Sequence, residues 1–192
     1  MKRLLLLILL TIPCAYVLVA QGVLDQQVSA EFWEVSLEEA LYRLGDEHDL
    51  RLSFSNDILP PKVITAKFEQ RTIGSALGQL LQDTPLRIKE LGGQIVIFLP
   101  VDLEFTINGI LVDASTGERL IGANIYDNKS GKGTVTNEYG YFSITLPAGP
   151  VALDFSYVGY GTLSSDFYLM DNQRLDQQLR SDLQLEPIEV VG

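Results

Sequence analysis

The chain has 192 residues, 46% of them apolar, with 14 lysines and arginines against 25 aspartates and glutamates. A formal charge of -11 repels phosphate backbones instead of holding them by counterion release, so nucleic acid is a poor partner. One Cys and one His cannot assemble a thiolate-rich or imidazole-rich metal site, and no cofactor is expected.

The first element is a leader. Lys2 and Arg3 precede the apolar run Leu4 to Ile12, Pro13 interrupts it, and Leu18-Val19-Ala20 offers a small residue at a cleavage position. Residues 1–20 therefore read as a secretory signal peptide in preference to an uncleaved membrane anchor, and its removal takes away two cations and the sole Cys, Cys14. A thiol-free exported chain must draw its stability from core packing, and the periplasm is the expected compartment.

From Val28 to Leu99, strand and helix patterns alternate. Ser36-Leu37, Ala40-Leu41, Leu44 and Leu50-Arg51-Leu52 recur as Thr72-Ile73, Ala76-Leu77, Leu80 and Leu86-Arg87-Ile88, each displaced by thirty-six residues. Leu37, Ala40, Leu41 and Leu44 share one helical face, Ser36 is placed to cap it, and Glu39 completes a capping box; Thr72 caps the second stripe. Expected strands are 30–35, 50–55, 63–68, 86–90 and 94–99, the last two joined at Gly92-Gly93. Two βαβ-like halves with both helices on one face of a small sheet would bury the Leu and Ala stripes.

The succession S-L-E-E-A-L-Y-R-L, L-R-L-S-F, K-V-I-T-A-K-F, T-I-G-S-A-L-G-Q-L-L-Q-D-T-P-L and Q-I-V-I-F resembles the secretin and TonB N-terminal short (STN) domain, over residues 28–100. The resemblance implies a periplasmic interaction module, placed ahead of the plug of TonB-dependent receptors or in secretins. In signal-transducing receptors of that kind the domain contacts a FecR-like anti-sigma regulator.

Past a boundary near Pro100 to Leu103, the text becomes strand, turn, strand. Phe105 to Val112, Gly122 to Tyr126, Thr134 to Thr136 and Tyr141 to Leu146 are strands, and Val151, Leu153, Phe155 and Tyr157 alternate with Ala152, Asp154 and Ser156 at the period of a half-buried strand. Asp113 to Gly117 and Asn137 to Gly140 carry turn chemistry. Six or seven strands in so few residues make a small antiparallel sandwich. N-G-I-L-V-D-A-S-T-G-E-R-L-I-G-A-N-I-Y, G-T-V-T-N-E-Y-G-Y-F-S-I-T-L-P-A-G and L-D-F-S-Y-V-G-Y resemble the carboxypeptidase regulatory-like, transthyretin-like sandwich over residues 103–180, an accessory domain and not the zinc peptidase. The fold class expected is thus α+β: a small STN-like βαβ-repeat domain followed by an all-β transthyretin-like antiparallel sandwich.

Catalytic chemistry finds no support in the text. His48 lies among Asp46, Glu47 and Asp49 and reads as a solvated helix-end residue. Asp113, Asp127 and Asn128 read as turn formers without EF-hand spacing. Tyr139, Tyr141, Tyr157 and Tyr160 offer a sugar-stacking platform, against core and turn packing.

Residues 181–192 are expected to form an extended tail, with a sandwich edge strand or a frayed end as the alternative. Leu185 to Gly192 resembles a TonB box, with Ile188, Glu189, Val190 and Val191 as the partner-binding residues; β-branched residues favour an extended strand that the TonB C-terminal domain would pair with. The expected function is non-enzymatic protein interaction and signalling in the periplasmic part of a TonB-dependent outer-membrane receptor, stopping before the plug and barrel. The alternatives are a free-standing periplasmic adaptor and a carbohydrate-binding module.

Overall fold

The computed structural model describes residues 22–182. The expected leader, and the tail residues Ile188, Glu189, Val190 and Val191, lie outside the described residues.

A 3₁₀ turn, Val23–Asp25, opens the first region. It is followed by β1 (Gln27–Ser36), α1 (Leu37–Glu47), β2 (Leu52–Ser53), β3 (Val63–Thr72), α2 (Ile73–Leu80), β4 (Arg87–Leu91) and β5 (Gln94–Phe98). Alternation along β1 buries Val28, Ala30 and Phe32, and their counterparts thirty-six residues on include Ile64 and Phe68, also buried. Phe32 and Phe68 meet edge to face with ring centroids 6.1 Å apart. Ser36 Oγ accepts from Glu39 N at 3.1 Å and Thr72 Oγ1 from Ser75 N at 3.2 Å, so each side chain satisfies one orphan donor of its helix.

The two halves are related as reciprocal copies. The antiparallel β1–β3 register sets Gln27 against Thr72 and Ser36 against Val63, which are repeat equivalents with the strands exchanged. Each strand carries one bulge: Trp33 and Glu34 oppose Thr65, and Glu69 and Gln70 oppose Ser29. Glu34 and Gln70 hold φ of 50° and 48°, uncommon for residues with a Cβ. Their amides donate across the ribbon, Glu34 N to Thr65 Oγ1 at 3.1 Å and Gln70 N to Ser29 Oγ at 3.0 Å. The first helical amides follow the same rule, Leu37 N donating to Lys62 O and Ile73 N to Gln26 O, both at 2.8 Å.

The expectation of βαβ units covering one sheet needs correction. β1 and β3 form their own two-stranded sheet, whereas β2 and β4 flank β5 in a three-stranded one of order β2-β5-β4. The long bulged strands pair with each other along their length, so each helix hands the chain to the other sheet. β2 is also shorter than the 50–55 strand expected, because Leu52 N turns back to Leu50 O and a 3₁₀ turn follows at Asn56–Ile58. Gly92 and Gly93, with φ of 58° and 78°, make the β4–β5 hairpin turn.

The second region is a sandwich. β6 (Glu104–Asp113), β7 (Asn124–Asp127), β8 (Gly133–Val135), β9 (Tyr141–Pro147), β10 (Gly149–Ser156), β11 (Leu163–Leu169), β12 (Gln173–Arg174) and β13 (Gln177–Leu179) follow in order. One sheet runs β11-β10-β7-β8; in the other, β6 carries β9 on one side and β12 and β13 on the other. Ile107, Leu111, Ile125, Phe142, Leu153 and Phe155 lie in the core between them. The sandwich is not wholly antiparallel, since β12 and β13 pair parallel with β6. After β11 the chain crosses from one sheet to the other and arrives on the free edge of β6 running in the same direction.

That last strand is interrupted at Leu175 and Asp176, and side chains complete the ladder. Asp176 Oδ1 accepts from Ile110 N at 2.9 Å and Asn172 Oδ1 from Thr106 N at 2.7 Å. Between the two regions, Tyr168 of β11 donates its hydroxyl to Ile58 O at 2.5 Å, and Leu99 approaches Gly149.

Candidate functional site

Two aspartates organise the sandwich loops. Asp113, at the end of β6, accepts from Ser115 Oγ, Ser115 N and Thr116 N through Oδ1, and from the Tyr160 hydroxyl through Oδ2 at 2.7 Å. The Ser115 hydroxyl, then the Tyr160 hydroxyl and the two amides, hold its carboxyl far below the usual carboxylate range, while the same bond pushes Tyr160 up to about 12. Asp127, at the end of β7, accepts from Ser130 N and Ser130 Oγ through Oδ2 and from Ala152 N through Oδ1. Burial pushes this carboxyl up, but the Ser130 hydroxyl and the amides outweigh it and the net shift is downward. Both carboxylates accept from the amides and hydroxyls of their own loops, which makes them turn anchors as the sequence suggests.

His48 stands just past α1, with Nε2 3.2 Å from Ser29 O. Among the described residues no group of three or more His, Cys, Asp and Glu side chains could hold a metal ion. Of the four tyrosines, Tyr157 and Tyr160 pack on each other at 5.4 Å, partly buried, whereas Tyr139 and Tyr141 are exposed around the start of β9.

The surface offers clefts instead. One opens along the seam of the sandwich, where Gly161 to Leu163 face β13, with a volume of 660 Å³. Another, of 320 Å³, lies between α1 and the edge strand β2, floored by Leu41, Gly45, Leu50 and Leu52 with Asp46 and Asp49 at its rim. A helical stripe reads as core from sequence, and Leu41 is indeed buried; the signal for an opening is Gly45 standing where the second unit has Leu81. No helix among the described residues is long and apolar enough to cross a membrane.

Residues 107–191 match the family described as the CarboxypepD_reg-like domain, a range that includes Ile188, Glu189, Val190 and Val191. A TonB-dependent receptor of Formosa agariphila is 28% identical over 109 residues, covering 52% of this chain and 10% of the receptor. The chain thus spans about a tenth of that relative's length. Among solved structures, a protein of unknown function from Bacteroides fragilis, described as membrane-associated, is 23% identical over 48% of this chain and 33% of that one, with a TM-score of 0.34. The shaft pilin of Lactobacillus rhamnosus GG is 15% identical over 49% of this chain and 53% of that one, with a TM-score of 0.35.

Proposed function

We propose that this chain is a non-enzymatic, periplasm-facing protein-interaction region of a TonB-dependent outer-membrane receptor. The observation that carries the reading is the joint match of its sandwich to the CarboxypepD_reg-like family and of the chain to a TonB-dependent receptor. The aspartate-anchored loops, whose acceptors are spent on the fold, support binding over catalysis. In this reading the sandwich is a spacer and docking surface, the repeat domain is the STN-like module that meets a FecR-like regulator, and residues 188–191 add a strand to the TonB C-terminal domain.

The test is capture of the full chain by immobilised TonB C-terminal domain, repeated with Val190→Pro and Val191→Pro. Proline removes two amide donors, so retention of the double variant should fall to background. Equal retention of both proteins would remove the tail from the reading. The same sandwich with a tail that engages no TonB would instead suit a free-standing periplasmic adaptor.

A further inference from the structure

We propose that the groove between α1 and β2 is a docking site for an extended segment of another protein that presents an aliphatic side chain flanked by Lys or Arg. The reciprocal architecture supplies the argument. Every buried position of α1 has a counterpart in α2, with Leu37, Ala40, Leu41 and Leu44 matching Ile73, Ala76, Leu77 and Leu80, all of them buried. One residue further the match fails: Leu81 packs into the core at 7% exposure, while its counterpart is Gly45. The first unit therefore lacks the leucine side chain that closes the second, and the 320 Å³ groove lies at that place.

The groove has mixed walls. Leu50, Leu52 and Phe54, each partly buried, supply its accessible apolar side over the buried Leu41, and the Phe54 ring leans on Tyr42 with centroids 5.2 Å apart. Adding a Cβ at Gly45 would bring it to 3.5 Å from Leu50 O and from Leu52 Cδ1, ordinary contact distances, so a single methyl-sized group fits there without displacement. β2 lies at the edge of the β2-β5-β4 sheet with no second strand partner among the described residues; its Leu52 amide is bonded to Leu50 O, so an extended segment would meet this edge mainly through its carbonyls.

Charge selects among occupants. The charged lining residues are Asp46 and Asp49, both exposed, with no cation among the lining residues. The chain's own tail brings Glu186 and Glu189, and a second copy brings a formal -11; both are repelled. A basic segment of a different protein is attracted and has its aliphatic side chain received by the space over Gly45.

The proposal rests on the reading of the first region as a docking module, and its test is independent of TonB capture. The amide NMR spectrum of the full chain is followed as an acetylated seven-residue peptide alternating Lys and Leu is added, with an alternating Glu and Leu peptide as comparison. Shifts confined to 41–54 are expected with the Lys peptide and none with the Glu peptide. Gly45→Leu should abolish the response, Gly45→Ala should weaken it, and Asp46→Asn with Asp49→Asn should weaken binding about tenfold, the effect of two exposed charge pairs. Thermal melts verify that each variant is folded; Gly45→Ala keeps the test decisive if the leucine variant is not. Equal binding of both peptides, shifts centred elsewhere, or an unchanged response in folded Gly45→Ala would overturn the proposal. Concentration-dependent shifts at 41–54 without peptide would make the occupant a second copy and overturn it equally. TonB capture by the tail would be untouched by any of these failures.

Discussion

Gly109 lies in the middle of β6, where a Cβ would stand 2.0 Å from Leu175 O and 3.0 Å from the Phe142 ring. The interruption of the last strand brings backbone against backbone at this point, and only a hydrogen fits. Gly109→Ala should therefore cost about 1–3 kcal/mol or displace the crossing, measured by denaturant unfolding. Asp113 and Tyr160 give a pH signature. The depressed Asp113 carboxyl contributes stability that is complete above the ordinary range near 3.8 and is lost as the pH falls below it, and the raised Tyr160 contributes stability present below 10 and lost on the way to about 12. Asp113→Asn should lower the melting temperature at neutral pH and flatten the decline below pH 4, as thermal melts at a series of pH values would report. The turn role of Asp113 was legible because Asp-x-Ser-Thr-Gly is turn chemistry, but its bond to Tyr160 was not, since forty-seven residues separate the pair and only the folded sandwich joins them.

Helix caps and apolar stripes were readable from spacing, and they fall where the thirty-six-residue displacement puts them. Ser36→Ala and Thr72→Ala should each cost about 1 kcal/mol, and because the two caps sit at opposite ends of the β1–β3 ribbon the double variant should show their sum in chemical denaturation. Pairing partners were not legible, because periodicity fixes which face is buried and says nothing about which strand lies alongside. Hence β1 and β3 joined each other instead of the strands after their helices. β11 escaped notice for a related reason: Leu163-Ser164-Ser165-Asp166 carries little apolar alternation, and its strand conformation is imposed by the ladder to β10. The parallel approach of β13 is likewise decided by the route of the crossing and not by its own residues.

The described residues form two separate cores, one built from residues between Val28 and Ile97 and one from residues between Ile107 and Leu179. A bond between the regions is Tyr168 to Ile58 O, and burial pushes that phenol up to about 12, so it stays protonated and donating through the neutral range. Tyr168→Phe should cost about 1 kcal/mol at that contact and separate the unfolding transitions of the two regions in calorimetry, while leaving the secondary structure intact. For function, the sandwich was the more readable part, its turns and strands matching a known family, whereas the groove over Gly45 depends on one missing side chain that only comparison of the two units brings out.

The bulge contacts run from each unit to the other, Thr65 serving Glu34 and Ser29 serving Gln70. Neither unit holds the side-chain acceptor for its own kinked amide, so each bulge is completed by the other unit. A polypeptide carrying a single unit would leave that exposed amide to water or to a twin molecule, and the domain is built like a dimer whose two subunits happen to be written on one strand of peptide.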